Sequence, residues 1–148
     1  MRAAIVLLTC TCLATAGALS AGEVAVEHYS EDPAAQLPFS DAVRVGDMLY
    51  LSGKIGNLPG TLELAPGGIQ GETRQTLENI KASLEKYGSS LDEVVKCTVF
   101  LADIAEWGAM NEVYVTYFTA NPPARSALGT SGLALGARVE IECLAAMR

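Results

Sequence analysis

The chain has 148 residues, half of them hydrophobic and 18% charged, with a formal net charge of −7. This composition is typical of one compact domain that buries its own core, and it argues against a disordered chain. The acidic balance repels phosphate backbones and the sequence has no local basic patch, so nucleic acid is a poor candidate partner.

The first twenty residues have the layout of a secretory signal peptide. Arg2 is followed by a weakly apolar run through Leu19, with small residues at Ala18 and Ser20. Cleavage is expected after Ser20 or Ala18, which assigns residues 1–20 to a leader that export removes. The alternative is a signal anchor that stays in the membrane, although the apolar run is short for a hydrocarbon core about 30 Å thick. We expect an exported protein, periplasmic or secreted, without stable membrane association.

Two cysteines remain after this cleavage, and each lies in a predicted strand. Cys97 and Cys143 could stay reduced, because a buried thiol behaves as a small hydrophobe. In an exported chain they could also form a disulfide, if their Cα atoms lie within about 7 Å of each other. A nucleophilic or metal-binding role is not indicated, since His28 is the only histidine and lies in the N-terminal segment.

The mature chain predicts one α+β domain, residues 37–148, after a polar, extended lead-in, residues 21–36, with little structure. Its first element is a hairpin that turns at Gly46 and Asp47, because apolar residues alternate on both sides and glycine supplies the positive φ of a tight turn. A long loop rich in glycine and proline follows the hairpin.

Two helices are predicted in the rest of the domain. The first spans Glu72 to Tyr87, where apolar residues recur at helical spacing, and it ends at Gly88. The second begins at Asp103 as a capping residue and ends at Asn121, before two prolines. Its inward residues are expected to be Ile104, Trp107, Met110, Tyr114 and Tyr117.

Two further strands complete the predicted sheet. The stretch EVVKCTVFLA has few polar positions and predicts a central strand, ARVEIECLAAM predicts the last strand, and ARSALG a brief extended segment. Both helices would lie on one face of this sheet. Strands that are apolar on both faces would leave a large exposed patch on a monomer, which favours oligomerisation.

Three segments of the domain resemble a known family. They are GDMLYLSGKIG, then GGIQGETRQTLENIKASLEKYGSSLDEVVKCTVFLADIAEWGAMNEVYVTYF, then PPARSALGTSGLALGARVEIECLAA. In this order they resemble the Rid family of reactive-intermediate deaminases, also called the YjgF family. The resemblance implies a chorismate-mutase-like α+β fold, a mixed sheet with two helices on one face, and a homotrimeric barrel with its sites between subunits.

The resemblance also implies an activity and its residues. The activity is the hydrolysis of 2-imino acids and their enamine tautomers, of the 2-aminoacrylate type, to 2-keto acids and ammonia without a cofactor. Arg125 corresponds to the arginine that clamps the substrate carboxylate, and Glu140 to the acidic residue that helps to place the attacking water. The implied substrate-binding residues are Phe39, where many members have tyrosine, Gly53, Asn111 and Ala127, which is often cysteine.

The chemistry is compatible with so small a set of residues. An imine carbon is already electrophilic, so hydrolysis needs an anchor and a placed water rather than a metal or a nucleophilic side chain. An arginine anchor supplies orientation, and a carboxylate near the water acts as a general base worth about 10² to 10⁴ in rate. This requires that Arg125 and Glu140 face one pocket, within one subunit or across two.

Each candidate residue also has a structural interpretation. Arg125 could pair with Glu140 or Glu142 across a subunit boundary, and the two glutamates could form the solvated face of an edge strand. Asn111 could be a polar neighbour of the apolar helix stripe, and Gly53 a bulge residue.

Two other functions remain open from the sequence. One is a non-catalytic module that binds a small carboxylate in the same cleft between subunits. The other, less favoured, is an endoribonuclease, against which the acidic charge argues.

Overall fold

The structure is a computed structural model that describes residues 23–30 and 37–147. The predicted leader, residues 1–20, lies outside these ranges. In the described part of the chain, no helix is long and apolar enough to span a bilayer.

Along these residues, one sheet of seven strands packs against two helices. The strands are β1 (Val26–Tyr29), β2 (Ala42–Val45), β3 (Met48–Leu51), β4 (Lys54–Ile55), β5 (Val94–Leu101), β6 (Ala124–Gly129) and β7 (Val139–Ala146), and the helices are α1 (Gly68–Lys86) and α2 (Trp107–Tyr114). The strand order is β1-β2-β3-β7-β5-β6, and β4 also pairs with β7. Only β5 and β6 pair in parallel. The predicted α+β class, a mixed sheet with two helices, is confirmed.

The predicted hairpin is also confirmed. β2 and β3 pair antiparallel, with Val45 opposite Met48. Gly46 has a φ of 56°, in the left-handed region that glycine enters without steric cost.

A strand in the lead-in was not predicted. β1 pairs antiparallel with β2, with Val26 opposite Val45. Its side chains are mostly exposed, so the sequence VEHY lacks the apolar alternation that marks a half-buried strand. The prediction of an extended segment agrees with Val26–Tyr29, but the prediction of little structure is wrong for these residues, and residues 31–36 lie outside the described ranges.

The first helix begins earlier than its apolar pattern indicates. α1 begins at Gly68 rather than at Glu72, and Gly88, with a φ of 84°, follows its end as predicted. Leu77, Ile80 and Leu84 are fully buried, so the predicted inward face is confirmed.

The second helix is shorter than predicted. The Asp103 carboxylate accepts a hydrogen bond from the backbone N–H of Ala105 at 2.9 Å, which caps a single 3₁₀ turn before α2. Ile104 and Trp107 are 52% and 43% exposed, so the inward orientation predicted for both is wrong. Met110 and Tyr114 are buried as expected.

The centre of the sheet is the pair β5 and β7. β5 pairs with β6 and β7, which confirms the predicted central strand. β7 pairs with β3, β4 and β5, so the alternative that Glu140 and Glu142 belong to an edge strand is wrong.

Alternation along the central strands gives the sheet two different faces. The residues that face the helices are fully buried, namely Cys97, Val99, Leu101, Val139, Ile141 and Cys143. The opposite face, which we call the open face, carries side chains that remain partly accessible, namely Tyr50, Thr98, Phe100, Glu140, Glu142 and Leu144. Its apolar members, such as Tyr50, remain accessible in the described part of the chain.

A disulfide joins the two central strands. Cys97 and Cys143 lie directly opposite each other in the β5–β7 register, with their Cα atoms 4.1 Å apart. Both residues are fully buried against the helices. The sequence left the state of these cysteines open, because pairing depends on a strand register that the sequence does not contain.

Opening this disulfide is expected to lower the free energy of unfolding. The bond spans a sequence separation of 46 residues, which corresponds to about 4 kcal/mol in the chain-entropy description. Guanidinium unfolding, followed through the fluorescence of Trp107, should show a lower midpoint after reduction. A Cys97→Ala/Cys143→Ala variant should match the reduced chain and ignore reductant. Equal midpoints for the oxidised and reduced chains would contradict this prediction.

Candidate functional site

Arg125 lies on the edge strand of the sheet and contacts α2. The parallel register places it beside Cys97, on the face that the helices cover. Its Nη1 donates a hydrogen bond to Oδ1 of Asn111 at 2.8 Å. Its guanidinium carbon lies 4.5 Å from the ring centre of Tyr114 and 5.6 Å from that of Trp107. The guanidinium is therefore held by three side chains of one helix.

A cavity of about 230 Å³ opens beside this guanidinium. Most of its wall is apolar, and its charged group is the arginine. A cation in an otherwise apolar cavity suits a small ligand that carries a carboxylate, because arginine can donate two parallel hydrogen bonds to it. The lining residues are Asn111, Tyr114, Val115, Phe118, Pro122, Pro123 and Arg125.

Tyr114 is the most buried aromatic residue at this cavity, with 4% of its surface exposed. Its hydroxyl is also buried and has no hydrogen-bond partner within the described part of the chain. Burial raises the pKa of Tyr114 to about 12, although the nearby charge of Arg125 acts in the opposite direction. The phenol is therefore neutral at physiological pH, and it meets the guanidinium as a cation–π partner.

Glu140 lies in β7 on the open face, beside Phe100 in β5 and Ile55 in β4. Its carboxylate occupies the space where position 53 would carry a side chain. A methyl group built on Gly53 would lie 2.9 Å from Cδ of Glu140 and would overlap a carboxylate oxygen. A larger residue at position 53 would therefore displace the Glu140 carboxylate, which approaches the backbone closely where glycine has no side chain.

Phe39 lies in the segment that precedes β2. Two hydrogen bonds from Ser52, the neighbour of Gly53, hold this segment in place. Ser52 Oγ donates to the carbonyl of Ser40 at 2.7 Å, and the Ser52 N–H donates to the carbonyl of Asp41 at 3.0 Å. The side chain of Phe39 is 58% exposed. Phe39 thus lies one residue before a stretch that is bonded to Ser52, the neighbour of Gly53, and its ring is exposed.

The six predicted site residues fall into two groups. The arginine half-site contains Arg125, Asn111 and Ala127, which lies in β6 beside Val99 and on the same side as Arg125. The glutamate half-site contains Glu140, Gly53 and Phe39.

The two half-sites do not meet within one chain. In β5, the neighbour of Arg125 is Cys97, which faces the helices, whereas the neighbour of Glu140 is Phe100, on the open face. Arg125 and Glu140 therefore point to opposite sides of the sheet, on strands that β5 separates. A pocket shared by both residues requires a second subunit.

Two contacts of Arg125 were not predicted from the sequence. Trp107 and Tyr114 were assigned to an apolar stripe facing the core, yet both rings contact the guanidinium. With Asn111 they lie at spacings of four and three, which places all three on one side of α2. A polar residue inside an aromatic stripe was the available signal. Among the residues that the structure describes, no cluster of histidine, cysteine or carboxylate side chains is suited to a metal.

The fold and the arginine half-site define a class. Its members are small α+β proteins in which a cavity of about 230 Å³ lies beside an arginine, and this arginine is on an edge strand that pairs in parallel with its neighbour. The chain belongs to the family described as Endoribonuclease L-PSP, whose model matches residues 29–147. The mouse 2-iminobutanoate/2-iminopropanoate deaminase is 44% identical over 113 residues, which are 76% of this chain and 84% of the mouse protein. Protein DfrA of Myxococcus xanthus is 41% identical over 120 residues, 80% and 92% of the two chains.

Solved structures agree with this assignment and confirm the resemblance to the Rid family. A yeast protein, YEO7, aligns with a TM-score of 0.77 at 39% identity, over 84% of this chain and 100% of its own. RidA from an Antarctic Psychrobacter aligns with a TM-score of 0.72 at 41% identity, over 78% and 93%. TdcF from E. coli, solved with bound serine, aligns with a TM-score of 0.71 at 34% identity, over 76% and 90%.

Gly53→Ala is expected to displace the Glu140 carboxylate. Because this carboxylate is the far end of a flexible, partly accessible side chain that can move aside, the loss of stability should be small, about 1 kcal/mol or less. Gly108→Ala is the matched control, since a methyl group there has no neighbour within 4 Å and lies in α2. It should be neutral or slightly stabilising.

A Glu140→Ala background separates this clash from other effects of the added methyl group. Removing the carboxylate should restore most of the stability lost in Gly53→Ala, which denaturant unfolding of the four chains of the cycle measures. The same loss in both backgrounds would show that Glu140 is not the neighbour that requires glycine.

Proposed function

We propose that this protein is a cofactor-independent deaminase that hydrolyses 2-imino acids and their enamine tautomers to 2-keto acids and ammonia. The observation that carries the proposal is the Arg125 fork at the mouth of an apolar cavity of substrate size. Relatives from mouse, rat, goat and cattle that are named 2-iminobutanoate/2-iminopropanoate deaminase are 44–45% identical to this chain. The E. coli relative was solved with serine, a small amino acid whose carboxylate such an arginine would bind.

The complete site is proposed to form between the subunits of a homotrimer. The arginine half-site and the glutamate half-site point to opposite sides of one chain. The open face also exposes apolar side chains such as Tyr50, which is 44% exposed. A head-to-tail interface repeated around a threefold axis closes into a ring, covers such a face, and brings each Arg125 to the Glu140 of a neighbouring subunit.

The chemistry follows from the two half-sites. Arg125 donates two hydrogen bonds to the substrate carboxylate and thereby fixes the position of the imine carbon. Glu140 accepts a proton from a water molecule, whose oxygen bonds to the carbon of the protonated imine while the π electrons of the C=N bond move to nitrogen, which gives a carbinolamine. Glu140 then returns its proton to the amine nitrogen, the carbon–nitrogen bond breaks with its electron pair leaving on ammonia, and the hydroxyl proton passes to Glu140 as the carbonyl of the keto acid forms. In this mechanism, backbone groups at Gly53 and Ala127 orient the imine and the water.

The test is an assay in which an amino-acid oxidase generates the imine in situ, across small, branched and aromatic side chains. Wild-type protein should accelerate ammonia release, and Arg125→Ala should lose about 10²-fold or more because the carboxylate is no longer oriented. Arg44→Ala is the matched control, since Arg44 lies in β2 and donates to the carbonyl of Gly46. A wild-type rate equal to spontaneous hydrolysis for every substrate would overturn the proposed activity.

Mixed oligomers test whether the site is shared between subunits. Arg125→Ala and Glu140→Gln should each be inactive alone, since each removes one half of every site. When the two are co-expressed in equal amounts, about one quarter of the boundaries in a random trimer should carry both intact half-sites. The mass of the complex should correspond to three chains. No recovered activity in verified mixed trimers would contradict a shared site.

Binding without turnover is the second candidate function. Phe39 favours it, because this ring keeps the aromatic wall of the glutamate half-site but lacks the hydroxyl of tyrosine. It would give saturable binding of 2-keto acids and no acceleration in the oxidase assay. Cleavage of RNA is disfavoured by the net charge of −7, and the same preparations can be assayed for it directly.

The protein is further proposed to be exported, periplasmic or secreted, with residues 1–20 removed as a signal peptide. The layout of these residues supports export, and so does the Cys97–Cys143 disulfide, because disulfides persist mainly in oxidising compartments. N-terminal sequencing of the protein recovered from its host should begin at Ala21 or Leu19. A retained leader would support a signal anchor instead.

A further inference from the structure

We propose that Trp107 and Tyr114 are positioning residues that hold the Arg125 guanidinium as a fixed carboxylate fork before substrate arrives. This inference rests on the proposed function of the cavity. It goes beyond that function by assigning to two aromatic rings of α2 the orientation of the residue that binds substrate.

The position of the Arg125 guanidinium is set by α2 rather than by its own strand. Arg125 lies on β6, the edge strand of the sheet, so its backbone has a strand neighbour on one side, β5. The guanidinium extends from this edge onto α2, where it contacts the rings of Tyr114 and Trp107 at 4.5 and 5.6 Å. Asn111, between them on the same helix face, accepts one hydrogen bond at 2.8 Å. Three helix residues thus define the position of a side chain that belongs to another element.

Most N–H donors of the Arg125 guanidinium remain available for a substrate carboxylate. A guanidinium has five N–H donors, and its one hydrogen bond to another side chain in the described residues goes to Asn111. A cation–π contact requires no acceptor atom, so the two rings hold the charge while leaving the remaining donors to a carboxylate. Asn111 alone would fix one nitrogen and leave the plane of the group free to rotate.

Holding the Arg125 side chain in place before substrate arrives should strengthen binding. A flexible arginine loses rotamer freedom when it clamps a ligand, and this loss weakens affinity. Arginine held in place in the free protein has already lost that freedom. The rings of Trp107 and Tyr114, which we call the aromatic cage, should therefore act mainly on substrate affinity and KM, and less on the steps after binding.

The ring of Tyr114, rather than its hydroxyl, is the part that acts. The hydroxyl is buried and finds no hydrogen-bond partner among the residues described. The ring is fixed from its other side by Phe118, with ring centres 4.8 Å apart. Phenylalanine at position 114 should therefore preserve most of the function, whereas an aliphatic side chain should not.

Trp107 provides a direct readout, because it is the only tryptophan of the chain and lies beside Arg125. Pyruvate binding, followed by this fluorescence, needs no turnover. Tyr114→Leu is expected to weaken pyruvate binding and to raise KM by about three- to thirtyfold, the range of one partly desolvated cation–π contact. Tyr114→Phe should recover most of that loss, and kcat should change less than KM in both.

A second pair of variants guards against simple loss of folding. Tyr114 is buried, so Tyr114→Leu is compared with Trp107→Leu and Trp107→Phe at a residue that is 43% exposed. Their pyruvate affinity is measured by titration calorimetry, since they lack the fluorophore. Tyr117→Leu is the matched control, because Tyr117 follows α2 and bonds to Glu78 rather than to Arg125. It should bind pyruvate like the wild type.

The outcomes separate this inference from the proposed function. Weaker pyruvate binding in both leucine variants, with recovery in both phenylalanine variants, supports the cage even if the wild type shows no turnover. Wild-type affinity in Tyr114→Leu and Trp107→Leu overturns it, even if the protein is an active deaminase. A loss in Tyr114→Phe as large as that in Tyr114→Leu also overturns it, because the hydroxyl would then be the active part.

Discussion

The pairing of β5 with β7 is the constraint on which the rest of the structure depends. β6 attaches to β5, β3 and β4 attach to β7, and β2 and β1 follow from β3. The Cys97–Cys143 disulfide crosses this pair and prevents the two strands from slipping. A slip of one residue would exchange the faces of a strand, which would turn Glu140 toward the core and a cysteine toward the open face. The position of every proposed site residue therefore depends on one register.

That same alternation explains why the chain has two incomplete half-sites rather than one site. In β5, the residue paired with Arg125 faces the helices and the residue paired with Glu140 faces the open side of the sheet. The two side chains therefore lie on opposite faces, and no rotation can bring them together within one subunit. Each half-site has its own local support, Asn111 for the arginine and the Gly53 gap for the glutamate. Charged groups that remain partly buried need complementary groups, and in the proposed trimer a second copy of the chain supplies them on both sides. Assembly and catalysis would then depend on the same surfaces.

The parts of the fold that could be predicted are those whose burial repeats with the period of the element. The inward face of α1 and the centre of β5 followed from apolar spacing alone. β1 did not, because its side chains are mostly exposed and carry no period. Ile104 shares helical spacing with buried Met110 and Tyr114, yet it lies in the 3₁₀ turn before α2 and is exposed. Trp107 is the first residue of α2, and its ring packs on Arg125 rather than in the core. Apolar spacing thus shows which residues share one side of a helix, but it does not show at which residue the α-helix begins.

The site shows the same limit at the level of single residues. A resemblance can assign Arg125 and Glu140 to roles, but their grouping follows from strand register, which short sequence patterns do not encode. Trp107 and Tyr114 show the reverse case, because their apolar character suggested core packing and concealed a contact with a charge. Asn111 distinguishes the two interpretations: an amide in the middle of an aromatic stripe would be costly if the stripe faced only the core. It is satisfied here because an arginine from the neighbouring strand reaches the same side of the helix. Here, the polar residue within the apolar stripe indicates a charged partner on another element, and it was the strongest indication in this sequence that α2 contacts Arg125.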